Sequence, residues 1–305
     1  MIVAGIDLGT NTTRLLVADV EGEAVHELHR ETRITRLGEG VDTRRRLLPV
    51  PVARARNALA DYGRTAASLG AERVLLVATS AVRDAENGEA LLGEIEWSYG
   101  FETRLLSGRE EAELTRRGVG ATRPGTLIVD VGGGSTELIL EDVWHSLDIG
   151  SVRFTERFLH SDPPGRGELD ACTTATRDAL PSLDPLAAIG VAGTATTLAA
   201  LDLGLGAYDR ERVDGHRLTL AGARRQLERL AALPLAERRC LPALEPERAP
   251  VIVAGAIIVV ETLVRYGLDA LVVSERDLLD GIVLAARELP ARPEGAAPPG
   301  AYTCC

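Results

Sequence analysis

Two stretches of the chain share one pattern: a short apolar run closing on an acid, a turn of small and hydroxyl residues, and a second apolar run. The fuller stretch is Thr126 to Leu140, T-L-I-V-D-V-G-G-G-S-T-E-L-I-L. Leu127, Ile128 and Val129 read as a buried strand that delivers Asp130 to its end, the three glycines turn the chain, and Ser135 to Leu140 begins a second strand. The other stretch opens the chain. Ile2 to Leu8 is an apolar strand bearing Asp7, Gly9-Thr10-Asn11-Thr12 turns, Arg14 to Asp19 returns, and Val25 to Arg30 adds a third strand. A β-hairpin with a small-residue turn accounts for either stretch alone. It accounts poorly for finding the pattern twice, which is the mark of a duplicated fold.

The remaining periodicity alternates helix and strand. Pro51 to Gly70 carries an alanine- and leucine-rich helical face, and Arg73 to Ala78 is the next strand. Ser80 then reads as an N-cap, and Ser107 with Glu110 three residues on is a capping box. Arg123-Pro124-Gly125 marks a composition shift, so the expected division is 1–122 and 123–305. Beyond it, strands continue to Ile149 and Gly150-Ser151-Val152-Arg153 leads into a helix. The turn from Pro163 to Gly167 precedes a helix from Glu168 to Leu180. Ala187 to Ala192 is a strand, Leu220 to Leu233 and about Pro246 to Tyr266 are helices, and Leu271 to Val273 is a final strand with Ser274 capping the last helix. After Leu289 the chain is rich in proline, glycine and alanine, and is expected to be mobile.

Composition narrows the function classes. A chain of 305 residues is long for one core, and with 45% hydrophobic but only 3% aromatic residues that core must be built from Ala, Val, Leu and Ile. The formal charge of −11, with no basic tail, argues against nucleic acid as the main partner. Every basic residue other than histidine is arginine. A Walker A loop and Schiff-base chemistry, which both need lysine, are therefore excluded. The start, Met1 to Gly5, lacks the charged region and cleavage site of a signal peptide, and the apolar run Val251 to Val260 is too short to span a bilayer, so a cytoplasmic protein without a membrane partner is expected. Cys172, Cys240, Cys304 and Cys305 form no C-x-x-C, which fits free thiols. His26 and His29 fall on opposite faces of a strand, which argues against a shared metal.

The candidate chemistry lies in the turns. Gly132, Gly133 and Gly134 remove every Cβ, so backbone N–H groups can close on an anion. Ser135 and Thr136 add hydroxyls, and Asp130 and Glu137 are oxygen ligands suited to Mg²⁺. Arg83 follows the strand ending at Ala78, where open α/β sheets place their ligands, and favours a phosphate role. Arg33, Arg36, Arg44, Arg45 and Arg46 surround the turn Leu37 to Gly40 and read mostly as a solvated loop. Gly150 to Arg153 and Gly193 to Thr197 offer two further anion cradles, each opening a helix. Glu110 has its capping job. Glu111 stands where a hydrophobic staple with Leu106 would want an apolar residue, which points to function, although complementing the helix dipole would also explain it.

Together the motifs D-L-G-T-N-T-T-R-L-L-V-A, A-T-S-A-V-R-D-A-E-N, S-G-R-E-E-A, I-V-D-V-G-G-G-S-T-E-L, D-I-G-S-V-R-F, V-A-G-T-A-T-T and V-I-V-A-G-A-I-I resemble, from Ile2 to about Ala286, the exopolyphosphatase and guanosine pentaphosphate phosphatase (Ppx/GppA) family in its short two-domain form. The resemblance implies an α/β fold of two ribonuclease-H-like domains, of the actin, Hsp70 and sugar-kinase superfamily, with the active site in an interdomain cleft. It makes Glu111 the catalytic glutamate, and assigns Asp130 and Glu137 to metal and water positioning, with Asp7 as a further metal-side acid. Gly9, Thr10, Asn11, Thr12, Arg83, Gly132, Gly133, Gly134, Ser135, Thr136 and Ser151 match phosphate-contacting positions, and Gly193 and Thr194 match the superfamily's third loop. Thr10 and Thr12 stand where serines are commoner, which keeps the hydroxyls. Around Val213-Asp214-Gly215-His216 the usual order is not kept, so His216 is given no role. The implied cofactor is Mg²⁺, with Mn²⁺ as a substitute, and the implied substrate is inorganic polyphosphate. Guanosine pentaphosphate is the alternative substrate. A sensor that binds guanosine tetra- or pentaphosphate without turnover is the alternative of another class, and a homodimer is a further expectation. Binding alone would not need the base, and a kinase fits less well because the loops are paired with a hydrolytic glutamate.

Overall fold

The computed structural model describes residues 1–290; Cys304, Cys305 and nearly all of the tail expected to be mobile lie outside the described residues. In chain order the elements are β1 (Ile2–Leu8), β2 (Thr12–Glu21), β3 (Ala24–Ile34), α1 (Val41–Arg44), α2 (Pro49–Ser68), β4 (Arg73–Ala78), α3 (Ser80–Arg83), α4 (Gly88–Tyr99), β5 (Glu102–Leu105) and α5 (Gly108–Val119). Next come β6 (Thr126–Val131), β7 (Thr136–Leu140), β8 (Val143–Leu147), α6 (Ser151–Phe158), α7 (Arg166–Ala179), β9 (Ala187–Val191) and α8 (Ala192–Asp202). The chain finishes with α9 (Arg210–Val213), β10 (Arg217–Thr219), α10 (Leu220–Ala232), α11 (Leu235–Arg238), α12 (Ile252–Arg265), β11 (Ala270–Val273) and α13 (Leu278–Arg287). The described residues divide into two compact units, one of Met1–Gly120 together with the chain from Arg276, the other of Ala121–Glu275.

In the first unit the sheet order is β3-β2-β1-β4-β5. The first three strands pair antiparallel, and β4 and β5 run parallel to β1. Side chains alternate across a strand, so β1 and β4 bury two faces. Ala4, Ile6, Leu8, Val74, Leu76 and Ala78 pack with Ala55, Leu59 and Tyr62 of α2. Val3, Leu75 and Val77 pack with Leu279, Ile282 and Val283 of α13. A two-faced apolar strand cannot be left half-covered, and this is why the last helix belongs here. The expected division at 122/123, with everything after it in the second domain, is corrected: residues from Arg276 return to the first unit. Ser274 does not cap that helix either. Its N–H donates to Gly190 O in continuation of the sheet, and Asp277 caps α13 by accepting from Leu279 N at 2.9 Å.

The second unit has the order β10-β11-β9-β6-β7-β8. Read from β8, it repeats the first: three antiparallel strands, then two parallel to the central one, with β10 added antiparallel at the far edge. This is the duplication that the recurring hairpin predicts, and it gives the two ribonuclease-H-like α/β units of the resemblance. α12 is buried from Ile252 to Leu263 and forms the centre of this core with α8 and α10. No helix among the described residues is long and apolar enough to cross a membrane.

Two local expectations change. Ser80 is the first residue of α3 rather than its cap; Thr79 holds the cap position without a side-chain bond. Gly193 and Thr194 lie inside the first turn of α8, not in a loop ahead of it, because Ala192 takes a left-handed φ of 61° and converts β9 directly into helix.

The helix bearing Glu111 is held against α13 by an approach of backbones that only glycine allows. A Cβ on Gly281 would be driven into the Leu114 carbonyl, and one on Gly118 into the Asp277 carbonyl. Gly281→Ala is therefore expected to lower stability by about 1–3 kcal/mol, measured by chemical denaturation, despite alanine's better helix propensity.

Candidate active site

The carboxyl ends of the parallel strands β1, β4 and β5 lie at one edge of the first sheet, and the sequence-predicted residues of that unit gather there. The turn after β1 is closed by Gly9 N donating to Thr12 O at 3.0 Å. Its other carbonyls face the protein: Thr10 O accepts from Gly38 N at 2.8 Å, and Asn11 O from Thr35 N and Arg36 N at 3.1 and 2.9 Å. Gly38 is needed there, since a Cβ would strike Thr10 Cγ2. Thr12 is half-buried, while Thr10 and Asn11 are buried, and both amide atoms of Asn11 lack a hydrogen-bond partner. Buried polar groups of native proteins are paired in the great majority of cases, so such an orphan points to a ligand.

Glu111 follows from its cap. Ser107 Oγ accepts from Glu110 N at 3.3 Å and the Glu110 carboxylate accepts from Ser107 N at 2.8 Å, which turns Glu110 outward and leaves Glu111 on the inner face. Ser107 holds the Glu110 carboxyl below its usual range by donating to it. Glu111 is only 5% exposed. A carboxylate serving the helix dipole alone would sit in water; this one faces Arg83. The Arg83 guanidinium donates to Leu106 O at 2.6 Å and approaches Glu111 Oε2 at 3.4 Å. That second contact is longer than the roughly 2.7–3.2 Å of a well-made bond. A buried carboxylate and a fork-shaped donor thus stand side by side.

Asp7 lies opposite Arg14 in the β1–β2 register, and Arg14 Nε and Nη2 reach Asp7 Oδ2 at 2.9 and 2.8 Å. Arg14 also pairs with Asp277. Asp7 Oδ1 is buried without a partner. Burial raises the Asp7 carboxyl above its usual range against the pull of Arg14. Burial also opposes ionisation of Asp277, but Arg14 and Arg30 hold it below.

In the second unit the glycine turn is built the same way, with a further constraint. Gly132 N donates to Ser135 O at 3.0 Å. The first amides of α6 hold the carbonyls behind it: Ser151 N to Gly132 O at 2.9 Å, Val152 N and Arg153 N to Gly133 O at 2.8 and 3.1 Å. The buried Arg153 guanidinium completes the set, Nε donating to Gly134 O at 2.7 Å. The expectation of a separate anion cradle at Gly150 to Arg153 is therefore corrected, because those N–H groups already serve the glycine turn. Gly150 is required by the same approach, since a Cβ there would strike the Gly133 carbonyl. The hydroxyls of Thr136 and Thr194 are also engaged with backbone, donating to Ile149 O and Val131 O at 2.7 and 3.0 Å. Ser151 is buried. Gly193 lies against the guanidinium of Arg248, which would meet any Cβ there.

Asp130 and Glu137 are opposite one another in the β6–β7 register and therefore share a face of the sheet. Both are buried, Glu137 to 1% exposure, and Ser146 Oγ donates to it at 2.8 Å. No group of three or more His, Cys, Asp or Glu among the described residues makes a metal site by itself. Mg²⁺ does not ask for one, since it takes one or two carboxylates and completes its shell with water and substrate phosphate. In the second unit the paired Asp130 and Glu137 fit that need, and in the first the orphaned Asp7 oxygen is a carboxylate oxygen of the same kind.

The sequence motifs missed three residues that set this chemistry. Arg153 read only as the end of an anion cradle, and Asp277 carries no motif. Arg14 was visible only by register: it stands seven residues after Asp7 (7 to 14) as Glu137 does after Asp130 (130 to 137).

Two ribonuclease-H-like units, each with an acid beside an amide-lined hairpin turn, and one adding a buried glutamate beside an arginine, define an enzyme of phosphoryl chemistry. The chain belongs to the Ppx/GppA phosphatase family, which matches residues 16–288, and is a hydrolase. It is 42% identical over 312 residues to exopolyphosphatase 2 of Mycobacterium tuberculosis, covering 93% of this chain and 98% of that protein. Among solved structures, the Aquifex aeolicus PPX-GPPA enzyme is 30% identical with a TM-score of 0.78, covering 93% of this chain and 99% of that one. An exopolyphosphatase from Cytophaga hutchinsonii is 25% identical with a TM-score of 0.86, covering 95% and 99%.

Arg153→Met removes the donor to Gly134 O while keeping an apolar stem. It is expected to lower stability by about 1–3 kcal/mol, read by denaturation, and to speed hydrogen exchange at the amides of residues 133–135.

Proposed function

We propose that the protein is an exopolyphosphatase that removes the terminal phosphate of inorganic polyphosphate as orthophosphate. The observation that carries this reading is Glu111, a carboxylate 5% exposed and 3.4 Å from the Arg83 guanidinium. The name of the mycobacterial relative, similar over nearly its full length, supports the choice of substrate.

Glu111 orients a water and takes its proton as the oxygen attacks the terminal phosphorus in line. The new O–P bond forms as the anhydride bond breaks, and the chain shortened by one phosphate departs. Charge on the equatorial oxygens is met by Arg83, by the turn amides of Thr10 and Asn11 and of Gly133, Gly134 and Ser135, and by the Asn11 side chain, while Gly9 and Gly132 close the turns. With a net charge of −11, bulk steering cannot draw in a polyanion, so these local donors must supply the attraction. Asp130, Glu137 and Asp7 would hold Mg²⁺ or Mn²⁺, which when bound would neutralise phosphate oxygens. Glu137 also helps to position the water. Thr136, Ser151 and Thr194 support the glycine turn through Ile149 O, Gly132 O and Val131 O, and Gly193 keeps the phosphate role that the resemblance implies. A cytoplasmic setting and a homodimer belong to this reading as expectations of the family resemblance.

The test is phosphate release by the wild type and Glu111→Gln, with Mg²⁺, on short polyphosphate, long polyphosphate and guanosine pentaphosphate. Wild-type release from polyphosphate is expected to fall at least roughly 100-fold in the variant. Release confined to guanosine pentaphosphate would replace the substrate. Tight binding of guanosine tetra- or pentaphosphate with no release from anything would replace the enzyme with a sensor.

A further inference from the structure

The hairpins of the two units are equivalent in length and register, yet they differ in charge at one position. Opposite Asp130 stands Glu137, and opposite Asp7 stands Arg14. The first hairpin alone is thus a neutral pair, a poor place for a cation. It does not stand alone. Arg14 divides its guanidinium between two carboxylates, with Nε and Nη2 on Asp7 Oδ2 and Nη1 on Asp277 Oδ2. The trio carries a net charge of −1, and Asp7 keeps Oδ1 buried and without a partner. Beside it, Arg30 on β3 pairs with Asp280 at 3.1 Å and with Glu27 at 2.9 Å, a second trio of the same net charge.

We propose that Asp277 is a positioning residue for the divalent cation: by taking up half of Arg14, it leaves on Asp7 the negative charge that Glu137 contributes in the second hairpin. This rests on the assignment of Asp7 to the cation made above. The residue lies outside every motif, on the helix that returns from the end of the chain.

Asp277 also caps α13, so charge and cap must be separated. Asparagine caps as well as aspartate and lacks the charge; glutamate keeps the charge and caps poorly. Mn²⁺ binding to the full chain, followed by the electron paramagnetic resonance signal of free Mn²⁺, is to be measured for wild type, Asp7→Asn, Asp277→Asn and Asp277→Glu, each with a thermal melt. The expected result is affinity roughly tenfold weaker in Asp277→Asn at a temperature where its melt shows it fully folded, and near wild type in Asp277→Glu even where its melt is lower. The reverse pattern, with Asn binding as wild type and Glu weakened along with its melt, would show a cap and nothing more. If Asp7→Asn weakens binding and Asp277→Asn does not, this inference falls while the assignment of Asp7 stands. If Asp7→Asn leaves binding unchanged, both fall.

Discussion

A turn can offer its amides to an anion only if its carbonyls are taken care of elsewhere, and this constraint shapes both hairpins. In the second unit the three carbonyls from Gly132 to Gly134 are all engaged from behind, two by the opening amides of α6 and one by Arg153. In the first unit the segment from Thr35 to Gly38 does the same for Thr10 and Asn11. Glycine is needed on the supporting side, where Gly38 and Gly150 let the chain come close enough to donate. A turn that is already held in this way would not have to be ordered by an anion, so less of any binding free energy would go into fixing the backbone.

The duplication also shows how one scaffold is adapted to two tasks. The strand order, the hairpin length and the acid at the end of the central strand are common to both units. What differs is the opposite residue in the register and the added helix. The first unit gains α5 with Glu111, and its Arg14 bridges Asp7 and Asp277, the cap of α13. The second unit has Glu137 at that register position, accepting from Ser146 Oγ. Taking a charge out of water has to be compensated, and the two units differ in what stands beside the acid of the central strand.

Much of this was legible. β1 and β4 have the bounds that the apolar runs indicate, because a strand buried on both faces reads as an unbroken apolar stretch. The Ser107–Glu110 box and the singularity of Glu111 were visible from spacing alone, since caps are local. The misreadings share one cause. Assigning α13 to the second unit followed the order of the chain, whereas its placement depends on an uncovered face of a sheet completed by residue 105. Reading Gly150 to Arg153 as an anion site counted amides without asking which carbonyls they serve, and that answer lies some twenty residues away in the turn. Ser274 and Ser80 are reasonable caps by residue type, but the chain needed extended backbone at the first and the first helical position at the second.

Glu111 shows why burial, rather than motif membership, separates the readings of this chain. Its neighbour Glu110 has the same side chain, a completed hydrogen-bond set and a carboxyl held low, which makes it a poor proton acceptor. Glu111 has lost nearly all its contact with water and faces a guanidinium instead. Taking a carboxylate out of water costs several kcal/mol unless something offsets it, and a surface cap would not need it. A binding protein for polyanions would in fact be better served by an apolar residue there, since a second negative charge next to Arg83 opposes the ligand. The proposed role of Glu111 as the base that takes a proton from water accounts for a carboxylate kept there at that cost.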